Sequence, residues 1–254
     1  MKVRMYNVGF GDCFCLRDRK KSLLVDFGTN NSRIEGRPRR EIFDVIISDL
    51  STIKSKNLLL THFHMDHLSG LLYMMKKKDI SVDFGKIYLP DVFSKKEMSR
   101  TLVLLLLADL LKESGLPSRQ VSLFALVDAL LENKQNVELL SRGKLFENKY
   151  QALWPDTDVI RKETDEVYNR ICEDGKFKEV MDVLLEFAEK LRLIVWSMTA
   201  EGNKPAETVE KETDLTASEL TEQPEVRQKI IRAYVYEREF RRIKALPDFK
   251  KLLA

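Results

Sequence analysis

Histidine is nearly missing from this chain, with 3 in 254 residues and none after His67. Chemistry that needs imidazole is therefore confined to one place. Cysteine is also scarce, and an odd count of 3 does not make a disulfide framework. Met1-Lys2-Val3-Arg4 is not followed by the apolar core of a secretory signal, so the expected location is cytoplasmic. The apolar run Leu102 to Leu107 is bounded by Asp109 and Lys112. That is well short of the ~20 residues of a membrane span, and the run reads as a buried helix. Nor does one sign of charge dominate. With 43 basic and 40 acidic residues the net charge is +3, so no overall field argues for nucleic acid or against it. Apolar residues are plentiful at 44%, enough for the core of one large domain or of a domain with an appendage.

All three histidines fall between His62 and His67, in the pattern H-x-H-x-D-H with Asp66. Leu58-Leu59-Leu60-Thr61 reads as a short buried strand, and alternation just past its end puts His62 and His64 on one side. Ser69-Gly70 and then Leu71-Leu72-Tyr73-Met74 suggest a turn into a helix, so Asp66 and His67 approach from another direction. Three imidazoles and a carboxylate suit zinc at roughly 2.0–2.2 Å, and also iron or manganese. The plainer reading is a strand end with solvated polar residues. The gathering of every histidine beside an aspartate favours a metal site.

At these residues the chain resembles the metallo-β-lactamase-fold hydrolases, whose hallmark is this loop, matched at His62, His64, Asp66 and His67. Upstream, Val8-Gly9-Phe10-Gly11-Asp12-Cys13 and Leu23-Leu24-Val25-Asp26-Phe27-Gly28 look like the family's paired entry strands. They are most similar to the branch that holds the hydrolase domain of DNA-uptake competence proteins, which usually has glutamine where Phe10 stands. The resemblance implies an α/β fold, a partial αββα sandwich. It implies two zinc ions if the site is complete, one on His62 and His64 and the other on Asp66 and His67. Asp66 would also steer the attacking hydroxide, and Asp26 would orient the loop by hydrogen bonding. Family members hydrolyse lactams, thioesters, lactones and phosphodiesters, and the competence-like motif tilts the expectation towards a phosphodiester, with nucleic acid left open as a partner.

The first portion reads β-β-β-α-β, loop, helix. Cys13 and Cys15 are expected as small buried strand residues rather than a metal pair. Residues 29–40 read as an exposed basic loop, and Glu41 to Ser51 as a covering helix. Two leucine-rich helical segments, broken at Gly115-Leu116-Pro117, look like an insertion at about 94–133. Tyr150 to Pro155 resembles the start of a second sheet, an apolar strand ending in Trp-Pro. The expected plan is a metallo-β-lactamase-like domain over 1–155, a helical region over 156–199, a flexible linker over 200–224 and a basic helix over 225–254. Val180, Val183, Leu184, Phe187, Ala188 and Leu191 form one apolar helical face that needs a partner surface.

The binuclear site that the resemblance implies takes more ligands from later in the chain: a histidine, a bridging aspartate often in a Gly-Asp pair, and a last histidine. This sequence has neither those histidines nor an apolar strand ending in Gly-Asp after Trp154. Three readings remain open. The chain is part of a longer hydrolase; or Asp156 or Asp158 completes an altered site; or it is a non-catalytic interaction protein. That last protein would keep a relic metal loop and associate with itself or a partner through its C-terminal helices.

Overall fold

The computed structural model describes residues 1–18, 21–77, 83–113, 123–133, 135–173, 175 and 177–200. The breaker Gly115-Leu116-Pro117 and all of 201–254, hence nearly all of the expected linker and the whole basic helix, lie outside them.

The chain opens with β1 (Lys2–Met5), β2 (Phe14–Asp18) and β3 (Lys21–Val25), and a short hairpin of β4 (Arg33–Ile34) and β5 (Arg37–Pro38) interrupts the expected loop. Then come α1 (Arg39–Ser51), β6 (Ser55–Leu59), α2 (Met65–Lys76) and β7 (Ile87–Pro90). Helices α3 (Ser99–Glu113) and α4 (Leu123–Glu132) lead to β8 (Val137–Leu140), a hairpin of β9 (Leu145–Phe146) and β10 (Tyr150–Gln151), and finally α5 (Thr157–Glu173) and α6 (Lys178–Ser197). No described helix is long and apolar enough to cross a membrane.

One mixed six-stranded sheet has the order β1-β2-β3-β6-β7-β8. The first three strands are antiparallel, and β3, β6, β7 and β8 run parallel. Parallel neighbours need crossovers, and right-handed crossovers place their helices on one face. Side-chain alternation sorts the faces. Cys15, Leu24, Leu58, Ile87, Leu89 and Val137 point to the helix side and are at most 2% exposed. Helix α1 is anchored there by Asp49, which accepts from Arg4 at 2.7 Å, from Arg17 at 2.9 Å and from the Tyr6 hydroxyl. The opposite face carries Leu16, Leu23, Val25, Leu59, Tyr88 and Leu140, covered in part by Phe146, Tyr150 and Ala152 of the β9–β10 hairpin.

Two expectations are corrected here. The residues up to Pro155 do not start a second sheet. β8 extends the first sheet alongside β7, β10 is only two residues long, and Leu153 and Trp154 are 79% and 56% exposed. The cause is turn chemistry. Gly143 sits at φ 88, and Glu147 and Asn148 at φ 52 and 57 set the left-handed pair of a tight hairpin turn, so the returning chain pairs with Leu145 and Phe146 alone. The two leucine-rich segments likewise lie in the β7–β8 connection within one sheet, rather than between halves of a sandwich.

The chain divides into two compact units: Met1–Asp91 with Ala108–Thr157, and Val92–Leu107 with the chain from Asp158 onward. In the second unit, Arg100 donates to Asp165 at 2.8 Å and lies over the Tyr168 ring, and Thr101 meets Thr164 at 3.0 Å. The apolar face expected on α6 is buried throughout. Burial, with the nearby Cys172, pushes the Tyr168 hydroxyl up to about 12.

The hairpin is held to its sheet by a side chain from its own turn. Glu147 accepts from the Tyr88 hydroxyl at 2.7 Å and from the Asn57 amide. Glu147→Ala leaves both donors without their acceptor and is expected to cost about 1–3 kcal/mol in urea unfolding. Adding Tyr88→Phe should cost less than the sum of the single changes, because the orphaned hydroxyl leaves with its partner.

Candidate metal centre

β6 lies between β3 and β7, and its chain continues past Leu60 into the loop that begins α2. Phe63, 5% exposed, is the apolar peg of that loop, with His62 and His64 on either side of it. His64 is the N-cap residue, at φ −78 and ψ 151, and its carbonyl accepts from His67 N–H at 3.0 Å. Asp66 follows in the first turn, where a carboxylate is favoured by the helix dipole.

Backbone contacts stitch this helix start to the end of β3. Phe27 N–H donates to the His67 carbonyl at 2.7 Å, and the Phe27 carbonyl accepts from Gly70 at 2.8 Å and Leu71 at 3.1 Å. Asp12 N–H reaches the Asp66 carbonyl at 3.2 Å. Ser69 and Thr29 exchange two hydrogen bonds, each 2.9 Å. The approach is so close that side chains are excluded. A Cβ on Gly28 would stand 2.6 Å from Leu68 N and 2.7 Å from the Asp66 carbonyl, and one on Gly11 2.3 Å from the Gly28 oxygen.

Asp26 is the centre of this arrangement. It is 3% exposed and sits at φ 55. One carboxylate oxygen accepts from Thr61 N–H at 2.8 Å; the other accepts from the Thr61 hydroxyl at 2.7 Å and faces His67 Nδ1 at 2.9 Å. An ionised carboxylate only accepts, so Nδ1 of His67 carries its proton and Nε2 is left with its lone pair. The Thr61 proton is spent on Asp26, so towards His62 Nδ1, 3.0 Å away, its oxygen accepts. His62 thereby also keeps Nε2 as the free donor. A single carboxylate thus sets the tautomers of two imidazoles.

The free nitrogens converge. His62, Asp66 and His67 each place a donor atom within 4.8 Å of the others, and the His62 and His67 rings are 3.7 Å apart. Burial, then the positive charges of His67 and His64, holds His62 below the usual histidine range. Burial also pushes His67 down, but the hydrogen bond to Asp26 and the charges of Asp26, Asp66 and Asp12 outweigh it, and the net direction is up. A negative field that favours a proton on imidazole favours a cation in its place. Two imidazoles and a carboxylate are the donor chemistry of a zinc site, so these residues fit such an ion.

The geometry groups the expected residues differently from their sequence order. His62 joins Asp66 and His67, whereas His64 stands beside His62 with ring centres 4.7 Å apart and belongs to neither donor group of the described residues. Asp12 is the residue that the sequence reading passed over. With Asp26 and His67 it makes a second group, and its carboxylate is 3.6 Å from His67 Nδ1. Its signal was Gly11, the glycine that lets this turn approach the loop. Asp156 accepts from Arg142 at 2.9 Å, Asp158 is 80% exposed, and neither joins a donor group, nor does any described cysteine. Cys13 and Cys15 are buried, and burial pushes the Cys13 thiol up.

With this sheet, loop and donor cluster in view, the comparisons agree on the class. Residues 6–91 match the family model described as the metallo-beta-lactamase superfamily, so the first unit carries a metallo-β-lactamase-like segment. A curated relative, the endoribonuclease YSH1 of Mycosarcoma maydis, is 32% identical over 77 residues, which are 30% of this chain and 8% of that protein. The chain therefore matches less than a tenth of that relative's length. No solved structure matches.

Gly28→Ala is expected to force the loop off the β3 end and lower stability by about 1–3 kcal/mol, read by thermal unfolding of the metal-free chain. An unchanged midpoint would contradict the close packing of Gly28 on the loop.

Proposed function

We propose that the chain is a metal-dependent hydrolase that attacks an ester, most readily a phosphodiester, at the cluster of His62, Asp66 and His67, with His64 beside it. The observation that carries this reading is the convergence of three donors whose tautomers are already set by Asp26 and Thr61. A bound zinc, or manganese or iron in its place, would lower the pKa of water to about 7 and stabilise charge on the attacked oxygen. The chain's own groups supply the rest. Asp26 holds His67 rigidly and stays out of the coordination sphere, because its oxygens are engaged by Thr61 and His67. Asp66, with a side chain 19% exposed, is reachable by water and can accept a hydrogen bond from the attacking molecule. The same His67–Asp26 hydrogen bond occupies the second donor group, so the described residues supply one ion site. The superfamily match supports hydrolysis, and similarity to a protein named an endoribonuclease supports the phosphodiester.

A second reading rests on one fact: no histidine follows His67. In this reading the loop is a relic in an interaction protein that turns nothing over.

Elemental analysis after dialysis against trace zinc separates the outcomes, paired with hydrolysis of bis(4-nitrophenyl) phosphate. The hydrolase reading expects about one tightly held zinc per chain and measurable turnover, with His62→Ala losing both. Asp26→Asn should weaken zinc binding roughly 10–100-fold without removing a ligand. Zinc content unchanged by His62→Ala would overturn the assignment of the site. Zinc held without turnover of any phosphodiester or thioester would favour the interaction protein.

A further inference from the structure

The helix-free side of the sheet is covered at one end only. Val3 and Met5 stand on that face, opposite Leu16 and Phe14 in register, and are 58% and 71% exposed. The hairpin turns Phe146 and Tyr150 inward and so presents Leu145 outward, 68% exposed, and the chain just after it leaves Leu153 and Trp154 open. These five side chains, with the half-buried Phe14, expose on the order of 700 Å² of apolar surface. That exceeds the ~300–600 Å² patch of a typical monomer and approaches the ~800 Å² each partner gives to a stable interface.

Charge does not guard this side. The cations of edge strand β1, Lys2 and Arg4, alternate to the other face, where Arg4 is held by Asp49 at 2.7 Å. Free edges and open faces are normally protected by charges directed at the approach, and here the centre of the patch has none. Its rim carries both signs, with Lys149 on Asp18 at 2.8 Å. An uncharged centre with a mixed rim can meet its own copy without like-charge repulsion, the requirement of a two-fold contact.

We propose that this side of the first unit is an interface between two copies of this chain, centred on Val3, Met5, Leu145, Leu153 and Trp154. The contact would lay one apolar sheet face against another, the arrangement of aligned sheet packing. It does not depend on the metal reading, and its residues are outside the donor cluster.

The test is sedimentation of the full chain over a concentration series, beside the double variant Met5→Lys, Leu153→Glu. The chain is expected to reach twice its own mass with a dissociation constant on the order of micromolar. The variant is expected to stay at single-chain mass with the same far-UV circular dichroism. In a Trp196→Phe background, Trp154 is the sole tryptophan, because the sequence has 2. Its quenching by acrylamide should fall as the dimer fills. A chain that stays monomeric when concentrated would overturn the proposal. So would a dimer that survives the double variant, or one in which Trp154 quenching does not change.

Discussion

The Asp26 carboxylate is the constraint on which the first unit depends. It is a buried charge on a non-glycine residue in the left-handed region, a conformation that costs roughly 1–2 kcal/mol. Taken alone, each property would be destabilising. They persist because the carboxylate accepts two hydrogen bonds from Thr61 and one from His67, and charge-assisted bonds of this kind are about twice as strong as neutral ones. Through them the end of β3 grips both the continuation of β6 and the first turn of α2. The ring orientations of His62 and His67 follow from that grip.

The grip needs the backbones to be close, and glycine makes them so. Gly28 and Gly11 let two turns pack on the Asp66 carbonyl at distances no Cβ would allow, and Gly70 lies against the ring of Phe27. Phe27 in turn is fully buried and meets Phe43 of α1 edge-on, with ring centres 5.3 Å apart. Core packing, close backbone approach and the donor cluster are thus one continuous structure. Loosening any of them moves the others, since a packed interior transmits displacement rather than absorbing it.

The two faces of the sheet are unequal, and that inequality frames both proposals. On the helix side, crossovers between parallel strands bring α1, α2 and α4 with their apolar residues, and burial is nearly complete. On the other side a four-residue ladder has to serve as cover, pinned by Glu147 to Tyr88 and Asn57. The donor cluster also draws all its ligands from one loop, so what approaches it arrives from a side that this chain leaves open.

The residues of the site and the class of the fold were legible in the sequence, because both rest on local signals. Those signals were histidines confined to six positions, apolar alternation in the first strands, and glycines flanking the turns. The order β-β-β-α-β and the start of α2 follow from periodicity that neighbouring residues enforce. What the sequence could not fix was which donors meet. His62 and His64 are two apart, yet His62 is drawn to Asp66 and His67 by the hydrogen bonds of a residue 36 positions earlier. Asp12 enters the cluster only because β1, β2 and β3 fold back on one another. The fate of Val137 to Pro155 was likewise tertiary. The same apolar strand can open a new sheet or extend an old one, and the left-handed turns at Gly143 and Glu147-Asn148, with a free edge on β7, chose the second. Local chemistry named the ligands and the class of fold; long-range pairing decided their geometry.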